Sequence, residues 1–244
     1  MKARSLAALS MAALGVLAPR LAAASEADVF ENKVKPVSGQ VYRKAGKLEL
    51  TIPSAQLSFG DAFFSKYMAG AKVGYHFTEY LSASLTGSAG VTSTTGSTVL
   101  CSDVQGLQGC HEASEQELYQ VPGLIRWMAG AEIGFSPLYG KLNVFGEKAV
   151  HFDVSILGGA DLVSYRDVLT GAQVAAGATP GNATAVGGHL GVGARIFLSR
   201  SVALRLELRD VVYSVSHLAT GKLQNQLFGD IGLSFFIPLA QRAQ

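Results

Sequence analysis

The sequence predicts an all-β fold in which eight antiparallel strands close into an up-and-down barrel that spans a membrane. The clearest strand signal is the segment 202–208, which reads VALRLEL. Alternate side chains of a strand point to opposite faces, so this segment has one aliphatic face and one charged face. The same alternation recurs along the chain behind an N-terminal export signal. Together these observations favour a barrel with apolar side chains facing lipid and polar groups inside.

The N-terminus has the three-part pattern of a cleaved signal peptide. Lys2 and Arg4 give a basic start, residues 5–18 are small or apolar without charge, and small residues precede a predicted cut after Ala24. The apolar run is shorter than the ~20 residues that a membrane-spanning helix needs, which argues against an N-terminal anchor. We predict a signal peptide over 1–24, a periplasmic lead-in over 25–45, the barrel over 46–238 and a tail over 239–244.

Composition narrows the class of protein further. Charged residues make up 16% of the chain and hydrophobic residues 48%, whereas charged residues average roughly 25% in soluble domains. After residue 24 no segment has 18 consecutive apolar residues, so transmembrane helices are not supported. The net charge of +2, with no basic stripe, gives no support for nucleic acid as a partner. A soluble sandwich is the alternative, but it would need a partner sheet over each aliphatic face.

The first four strands are predicted at about 46–58, 65–77, 80–91 and 123–136. In each, aliphatic or aromatic residues alternate with charged, polar or glycine residues. Pro53 interrupts the first strand and must therefore sit at an edge, a bulge or a strand end, because proline cannot donate to the ladder.

The fifth, sixth and eighth strands are predicted at about 149–163, 185–198 and 224–237. The seventh contains the segment 202–208, continues through Arg209 and has its outer end near Ser214, Ser216 and His217. Long polar loops over 92–121 and 166–184 alternate with tight turns, as in bacterial outer-membrane barrels, where the short turns face the periplasm. An even number of strands then places both termini of the barrel in the periplasm. The connection 137–148 is long for a periplasmic turn. It could hold an extra strand or a periplasmic flap, so a ten-stranded barrel stays open.

The face opposite the aliphatic residues carries charges of both signs beside glycine residues. An eight-stranded barrel has an interior just wide enough for side chains to fill, and buried charges must be paired. We therefore predict a polar, largely plugged lumen in which these charges pair with one another. The predicted lumen charge network comprises Glu49, Lys72, Arg126, Glu132, Asp153, Arg195, Arg205, Glu207, Arg209 and Asp230.

Two cysteines, Cys101 and Cys110, lie in the first long loop. Export to an oxidising compartment predicts a disulfide between them that stiffens this loop. His111 follows directly, so a metal site is conceivable. Two cysteines and one histidine give only three ligands, without the paired spacing of a zinc site. We therefore predict no metal and no other cofactor.

A catalytic reading rests on Ser214, Ser216 and His217, at the predicted outer end of the seventh strand. A histidine near a serine could activate it as a nucleophile. No third, orienting residue can be placed from the sequence, so we predict no catalytic residues.

Several stretches of the chain carry a family resemblance. The closing strand DIGLSFFI (230–237) resembles the terminal β-signal of bacterial outer-membrane proteins, with Asp230, Gly232, Phe235 and Ile237 at the matching positions. Other stretches resemble a family of outer-membrane β-barrel proteins known from myxobacteria and relatives. They are GYHFTEYLS (74–82), RWMAGAEIGFSPLYGKL (126–142), HFDVSILGGADLV (151–163) and ARIFLSRSVALRLELRD (194–210).

The resemblance implies an eight-stranded barrel that the outer-membrane assembly machinery inserts, and it assigns no catalytic residues. Some similar barrels are associated with surface gliding machinery. We therefore expect a structural or interaction protein of the cell envelope, in contact with outer-membrane lipid and, through its long loops, with envelope proteins. A small channel or a lipid-modifying enzyme is the alternative function.

Overall fold

Eight antiparallel strands close into a barrel in the computed structural model of the chain. The structure describes residues 42–95, 98–104, 107–144, 148–215 and 223–238. The predicted signal peptide, most of the predicted lead-in and the predicted tail lie outside these residues. No helix in the described part of the chain has the length and apolar character needed to cross a bilayer.

The strands follow the chain in a simple up-and-down order. They are β1 (Lys47–Phe59), β2 (Phe64–His76), β3 (Leu81–Thr94), β4 (Val99–Val104), β5 (Leu107–Glu112), β6 (Ile125–Val144), β7 (Lys148–Arg166), β8 (Asn182–Phe197), β9 (Val202–Ser214) and β10 (Leu223–Pro238). The barrel has the order β1-β10-β9-β8-β7-β6-β3-β2, and β4 and β5 form a separate hairpin. A 3-10 helix over Glu117–Gln120 and a short helix α1 (Gly171–Ala175) lie in the two long connections.

The eight-stranded prediction is confirmed, and the ten-stranded barrel is wrong. Strands β6 and β7 pair from Ile125 and Tyr165 down to Val144 and Lys148, so most of the predicted connection over 137–148 is paired strand. A register shift between Phe135 and Leu138 absorbs one extra residue, as a β-bulge does. The alternation of apolar and polar residues breaks at this bulge. A search for a period of two therefore ends the strand too early.

Pro53 lies where the sequence analysis placed it, at an irregularity of β1. The register of β1 against both of its neighbours shifts between Thr51 and Ser54. A bulge at this position lets the strand continue past a residue that cannot donate a ladder hydrogen bond.

The two faces of the barrel wall differ as the alternation predicts. In β9, Arg205 and Glu207 are buried, whereas Leu206 and Leu208 are 36% and 44% exposed to the surroundings. Leu85 and Leu190 on other strands are still more exposed, at 67% and 73%. Such an outward apolar surface matches the lipid-facing band of an outer-membrane barrel.

Buried side chains lie in three layers along the interior. An aromatic layer lies at the end with the short turns, which is the predicted periplasmic end; there Phe197, Ala203 and Phe236 are buried and Tyr42 and Tyr139 pack against them. A charged layer lies above it. An apolar layer fills the outer end; it contains Met68, Ile125, Met128, Val163, Tyr165, Val168, Val211, Tyr213, Val215 and Phe228.

Candidate functional site

The charged layer of the interior is centred on Arg205, which comes from β9 and is 3% exposed. Its Nη1 lies 3.0 Å from Oε1 of Glu49 on β1, and its Nη2 lies 3.2 Å from Oε1 of Glu132 on β6. Its Nε also pairs with Glu207, two residues along its own strand. One guanidinium therefore joins carboxylates from three strands.

Two further cations extend this cluster across the lumen. Arg195 Nε lies 3.1 Å from Glu49 Oε1, and its Nη1 lies 3.2 Å from Asp153 Oδ1. Lys72 Nζ lies 2.9 Å from Glu132 Oε1 and 2.7 Å from Glu207 Oε2. Burial of these charges is tolerable because each has partners of the opposite sign.

A second group of polar residues lies beside Asp230 on β10. The Asp230 carboxylate accepts hydrogen bonds from Ser54 Oγ at 2.7 Å and Gln56 Nε2 at 3.0 Å. Arg209 Nη2 lies 3.4 Å from Asp230 Oδ2, and Arg209 Nε lies 3.8 Å from Glu207 Oε2. Arg209 therefore links the Asp230 group to the cluster around Arg205. The structure brings together all the predicted lumen residues except Arg126.

Arg126 is a correction to the sequence analysis, because its side chain is exposed and lies outside the network. The register of β6 against β7 shifts between Ile125 and Trp127. Past this irregularity Ile125 turns inward and is 1% exposed, within the outer apolar layer. An extra residue in a strand changes which side chains face inward. The alternation of apolar and polar residues in the sequence does not reveal the position of this extra residue.

The predicted network omitted two buried histidines. His76 Nε2 lies 2.7 Å from Glu49 Oε2. His189 Nδ1 lies 2.6 Å from Asp161 Oδ2, and its Nε2 lies 3.3 Å from Glu132 Oε2. Both histidines share the parity of the charged residues on their strands, and that signal was available in the sequence.

The segment 42–46, here called the N-terminal strap, packs against the interior at its predicted periplasmic end. Lys44 is 1% exposed, and its ammonium pairs with the Asp153 carboxylate. The Tyr42 ring is parallel to the Phe197 ring, with centroids 5.2 Å apart. The Lys44 N–H donates to Glu79 Oε2 at 2.8 Å, which fixes the strap to the turn between β2 and β3.

On the outer side, residues 98–104 and 107–124 of the first long connection pack against the rim and are here called the outer cap. Ala113 and Leu118 of the cap are buried against Phe64 of β2, and Leu100, Val121 and Leu124 pack against this small core. Arg166 at the end of β7 fixes the cap to the barrel. Its guanidinium lies 5.0 Å from the Tyr119 ring centroid and 5.6 Å from that of Phe64. It also pairs with Glu115 at 2.8 Å and donates to the Leu118 carbonyl at 3.1 Å.

The predicted disulfide is present in the outer cap. Cys101 of β4 and Cys110 of β5 are directly opposite each other in the hairpin and are bonded, with their Cα atoms 4.1 Å apart. The bond joins two strands that already pair, and its stiffening of the loop stays a prediction.

Comparison with known proteins identifies the family. A family model described as outer membrane protein beta-barrel domain matches residues 6–229. The chain belongs to this family. Membership in this outer-membrane family, together with the lipid-facing surface, places the protein in the bacterial outer membrane.

Several solved outer-membrane barrels resemble this family member. The N-terminal β-barrel domain of Pseudomonas aeruginosa OprF is 8% identical, with 79% of this chain and 98% of that chain covered and a TM-score of 0.45. OprG from Pseudomonas aeruginosa is 13% identical, with coverages of 80% and 97% and a TM-score of 0.42. Neisserial surface protein A is 11% identical, with coverages of 80% and 98% and a TM-score of 0.40. No curated protein matches the chain.

The predicted assembly signal lies in the closing strand of this outer-membrane barrel. In β10, Asp230 and Gly232 face inward, whereas Phe235 and Ile237 are 37% and 45% exposed on the lipid-facing side. Strand β10 pairs with β1 and so completes the ring. The role of these residues in assembly stays a prediction.

The structure describes only some of the residues considered for catalysis or metal binding. Ser214 is exposed at the end of β9, and Ser216 and His217 lie outside the described residues. His111 Nε2 lies 2.8 Å from Glu117 Oε1. Over the described ranges, no group of three His, Cys, Asp or Glu side chains could hold a metal ion.

The outer cap contains a carboxylate whose pKa can be tested directly. Hydrogen bonds from the Ser114 hydroxyl, the Ser114 N–H and the His111 ring lower the pKa of Glu117 to about 2. A lowered pKa in the folded cap means that these hydrogen bonds favour the ionised carboxylate of Glu117. They therefore stabilise the folded cap at pH values above the ordinary carboxyl pKa. This stabilisation is lost as the pH falls through about 2, where Glu117 becomes protonated. In a carbon NMR titration we expect a Glu117 midpoint near 2, and a higher midpoint in Ser114→Ala. A midpoint at the ordinary value in the unaltered protein would contradict these hydrogen bonds.

Proposed function

We propose that this protein is a closed, non-conducting barrel that anchors the outer cap on the cell surface, where the cap binds an envelope or surface component. The observation that supports the proposal is the set of buried side chains along the interior. Aromatic, charged and apolar layers follow one another from the periplasmic to the outer end. The geometry therefore supports an anchor and a display surface better than a pore.

The charged layer supports closure because its side chains cross the lumen. Arg205 on β9 reaches Glu49 on β1, and Lys72 on β2 reaches Glu207 on β9. An eight-stranded barrel is just wide enough for side chains to fill, so ion pairs that span it leave little room for a water path. Each pair would have to separate for an ion to pass, and separation of buried pairs is costly.

The N-terminal strap supports closure from the periplasmic side. Its Tyr42 ring contacts both the Phe197 ring and the His151 ring, whose centroids are 5.2 Å and 4.9 Å away. Lys44 places an ammonium against Asp153, at the lower edge of the charged layer. A solute entering from the periplasm would have to displace both contacts.

The outer cap supports a binding role because it is folded in advance of any partner. The disulfide, the small apolar core and the bonds of Arg166 hold the hairpin in one arrangement. A preordered surface loses less conformational entropy on binding than a free loop. An envelope protein or a surface polymer is the expected partner, and a component of a gliding-motility machinery is one example implied by the family resemblance.

Conductance across planar lipid bilayers tests the closed barrel. We expect the mature protein to insert and to give no discrete current steps, because ion pairs cross its lumen. Insertion is verified separately by heat-modifiable migration on gels of the same vesicle preparation. Stable steps that grow with salt concentration would contradict the proposal and would favour the channel alternative.

Photo-cross-linking in living cells tests the role of the cap. A photoreactive amino acid at Val99, which is 49% exposed on β4, should give adducts with an envelope component. The matched control is Leu198, which is 62% exposed in the periplasmic turn between β8 and β9 and should give no such adduct. The same adducts from both positions, or none from Val99, would contradict a partner-binding cap.

A further inference from the structure

The lipid-facing wall of the barrel contains a furrow of small residues, here defined by Ala83, Ala131, Gly158, Ala160 and Gly188. These residues lie on β3, β6, β7 and β8, and they border two hollows of about 530 Å³ and 500 Å³. Gly158 and Gly159 border both hollows, so the two adjoin. The furrow is therefore a continuous depression in the apolar surface.

The strand register explains the course of the furrow. Ala131 is opposite Ala160, and Ala160 is opposite Gly188. The next outward row along the strands includes Ile133 and Leu190, on either side of Gly158. Rows of outward residues are about 6.6 Å apart along a strand. The strands of such barrels are tilted by roughly 35–45°, so the furrow runs obliquely through the membrane.

Asp210 lies at one end of the furrow, on the lipid-facing side of β9. It borders the second hollow together with Gly188 and Val212. Its neighbours in register are Leu190 and Leu227. One of its carboxylate oxygens, Oδ1, is buried and has no hydrogen-bond partner among the described residues. A carboxylate among apolar residues in a membrane is costly, and a nearby cation would offset that cost.

The depth of Asp210 indicates where such a cation would come from. Asp210 is eight residues beyond Val202, the periplasmic start of β9. At about 3.3 Å per residue and a tilt near 40°, this places it about 20 Å above that start, in an apolar band about 25 Å tall. Asp210 therefore lies close to the level of the outer headgroups.

We propose that the furrow binds one acyl chain of a lipid whose headgroup carries an amine, with the ammonium group against the Asp210 carboxylate. The surroundings of the furrow favour an acyl chain as its occupant. The wall faces the bilayer, so acyl chains lie along the whole furrow, and lipid headgroups lie at the level of Asp210. The negative charge at the headgroup end selects a cationic group over an anionic one.

Native mass spectrometry of the full-length protein with defined lipids tests this site. The probes are phosphatidylethanolamine, phosphatidylcholine and phosphatidylglycerol with identical acyl chains, since only the first has a primary amine. We expect the unaltered protein to retain phosphatidylethanolamine roughly fivefold better than phosphatidylcholine, the effect of one partly exposed ion pair. Asp210→Asn should remove this preference, while Ala160→Leu should reduce retention of all three lipids by filling the furrow.

The matched control for Ala160→Leu is Ala89→Leu, because Ala89 is also outward-facing and exposed but does not border either hollow. It should leave lipid retention unchanged. Equal retention of the three lipids by the unaltered protein, or a preference that survives Asp210→Asn, would overturn the assignment of Asp210. Equal effects of the two leucine substitutions would overturn the furrow as the site of the chain. Heat-modifiable migration of each variant verifies that the barrel has folded.

Discussion

Replacement of Arg205 by alanine is expected to lower the free energy of unfolding by about 3–5 kcal/mol, the usual cost of breaking a buried ion pair from one side. Arg205 contacts Glu49, Glu132 and Glu207 in the interior. The substitution would leave these carboxylates buried with one cation fewer. Arg205→Met should lower the free energy of unfolding by a similar amount, because methionine restores the volume of the side chain but not its charge.

The measurement is urea unfolding of the folded barrel in lipid vesicles, monitored by heat-modifiable migration and by tryptophan fluorescence. Arg126→Ala is the matched control, since Arg126 is an exposed strand residue of the same type. It should change the free energy of unfolding by about 0.5 kcal/mol at most. Equal losses for the two arginine variants would contradict the placement of Arg205 at the centre of the charged layer.

Replacement of Leu206 by arginine is expected to cost about 2–4 kcal/mol, the value for arginine on the lipid face of a barrel at the bilayer midplane. Leu206 follows Arg205 directly and points the opposite way, with 36% of its surface exposed to the surroundings. It is four residues beyond Val202, which places it about 10 Å into the apolar band. The penalty arises because a guanidinium at this depth must stay among acyl chains.

The same unfolding assay measures the Leu206 variant. Leu223→Arg is the control, because Leu223 is also exposed on the lipid-facing side but lies at the outer end of β10. Near the interface the cost of arginine should fall to about 0–1 kcal/mol. A Leu206 variant as stable as the unaltered protein would indicate that this position meets water.

The strands and their faces could be predicted from the sequence because a period of two is a local property. The seven residues from Val202 to Leu208 already separate lipid-facing from inward-facing side chains, and the structure has the same separation. The irregular positions could not be predicted in this way. At Ile125 and at Pro137 an extra residue changes the parity of β6, and a bulge has no signature in an alternating pattern.

The content of the interior was predicted only in part. Val163 and Tyr165 share the parity of Asp161, yet they belong to the outer apolar layer and Asp161 faces His189. Parity reports which face a residue takes, but not its height in the barrel. Height depends on strand ends and register, and both depend on contacts between distant parts of the chain.

The ion-pair partners within the charged layer could not be predicted from the sequence for the same reason. Arg205 and Glu49 are 156 residues apart in the chain and meet only because the barrel closes. The sequence indicated that charges of both signs would share the lumen, and buried charges require partners. It could not indicate that Arg205 would bind three carboxylates or that Lys44, outside the strands, would pair with Asp153.

Spin-label accessibility in lipid vesicles tests the central claim most directly, namely that the apolar face meets acyl chains and the charged face is enclosed. Labels at Leu85 and Leu190, both strongly exposed on the outer wall, should be accessible to oxygen and shielded from a water-soluble nickel chelate. A label at Thr86, the inward neighbour of Leu85, should be shielded from both reagents. Ready access of the nickel chelate to Leu85 and Leu190, with high oxygen accessibility at Thr86, would show that the faces are reversed.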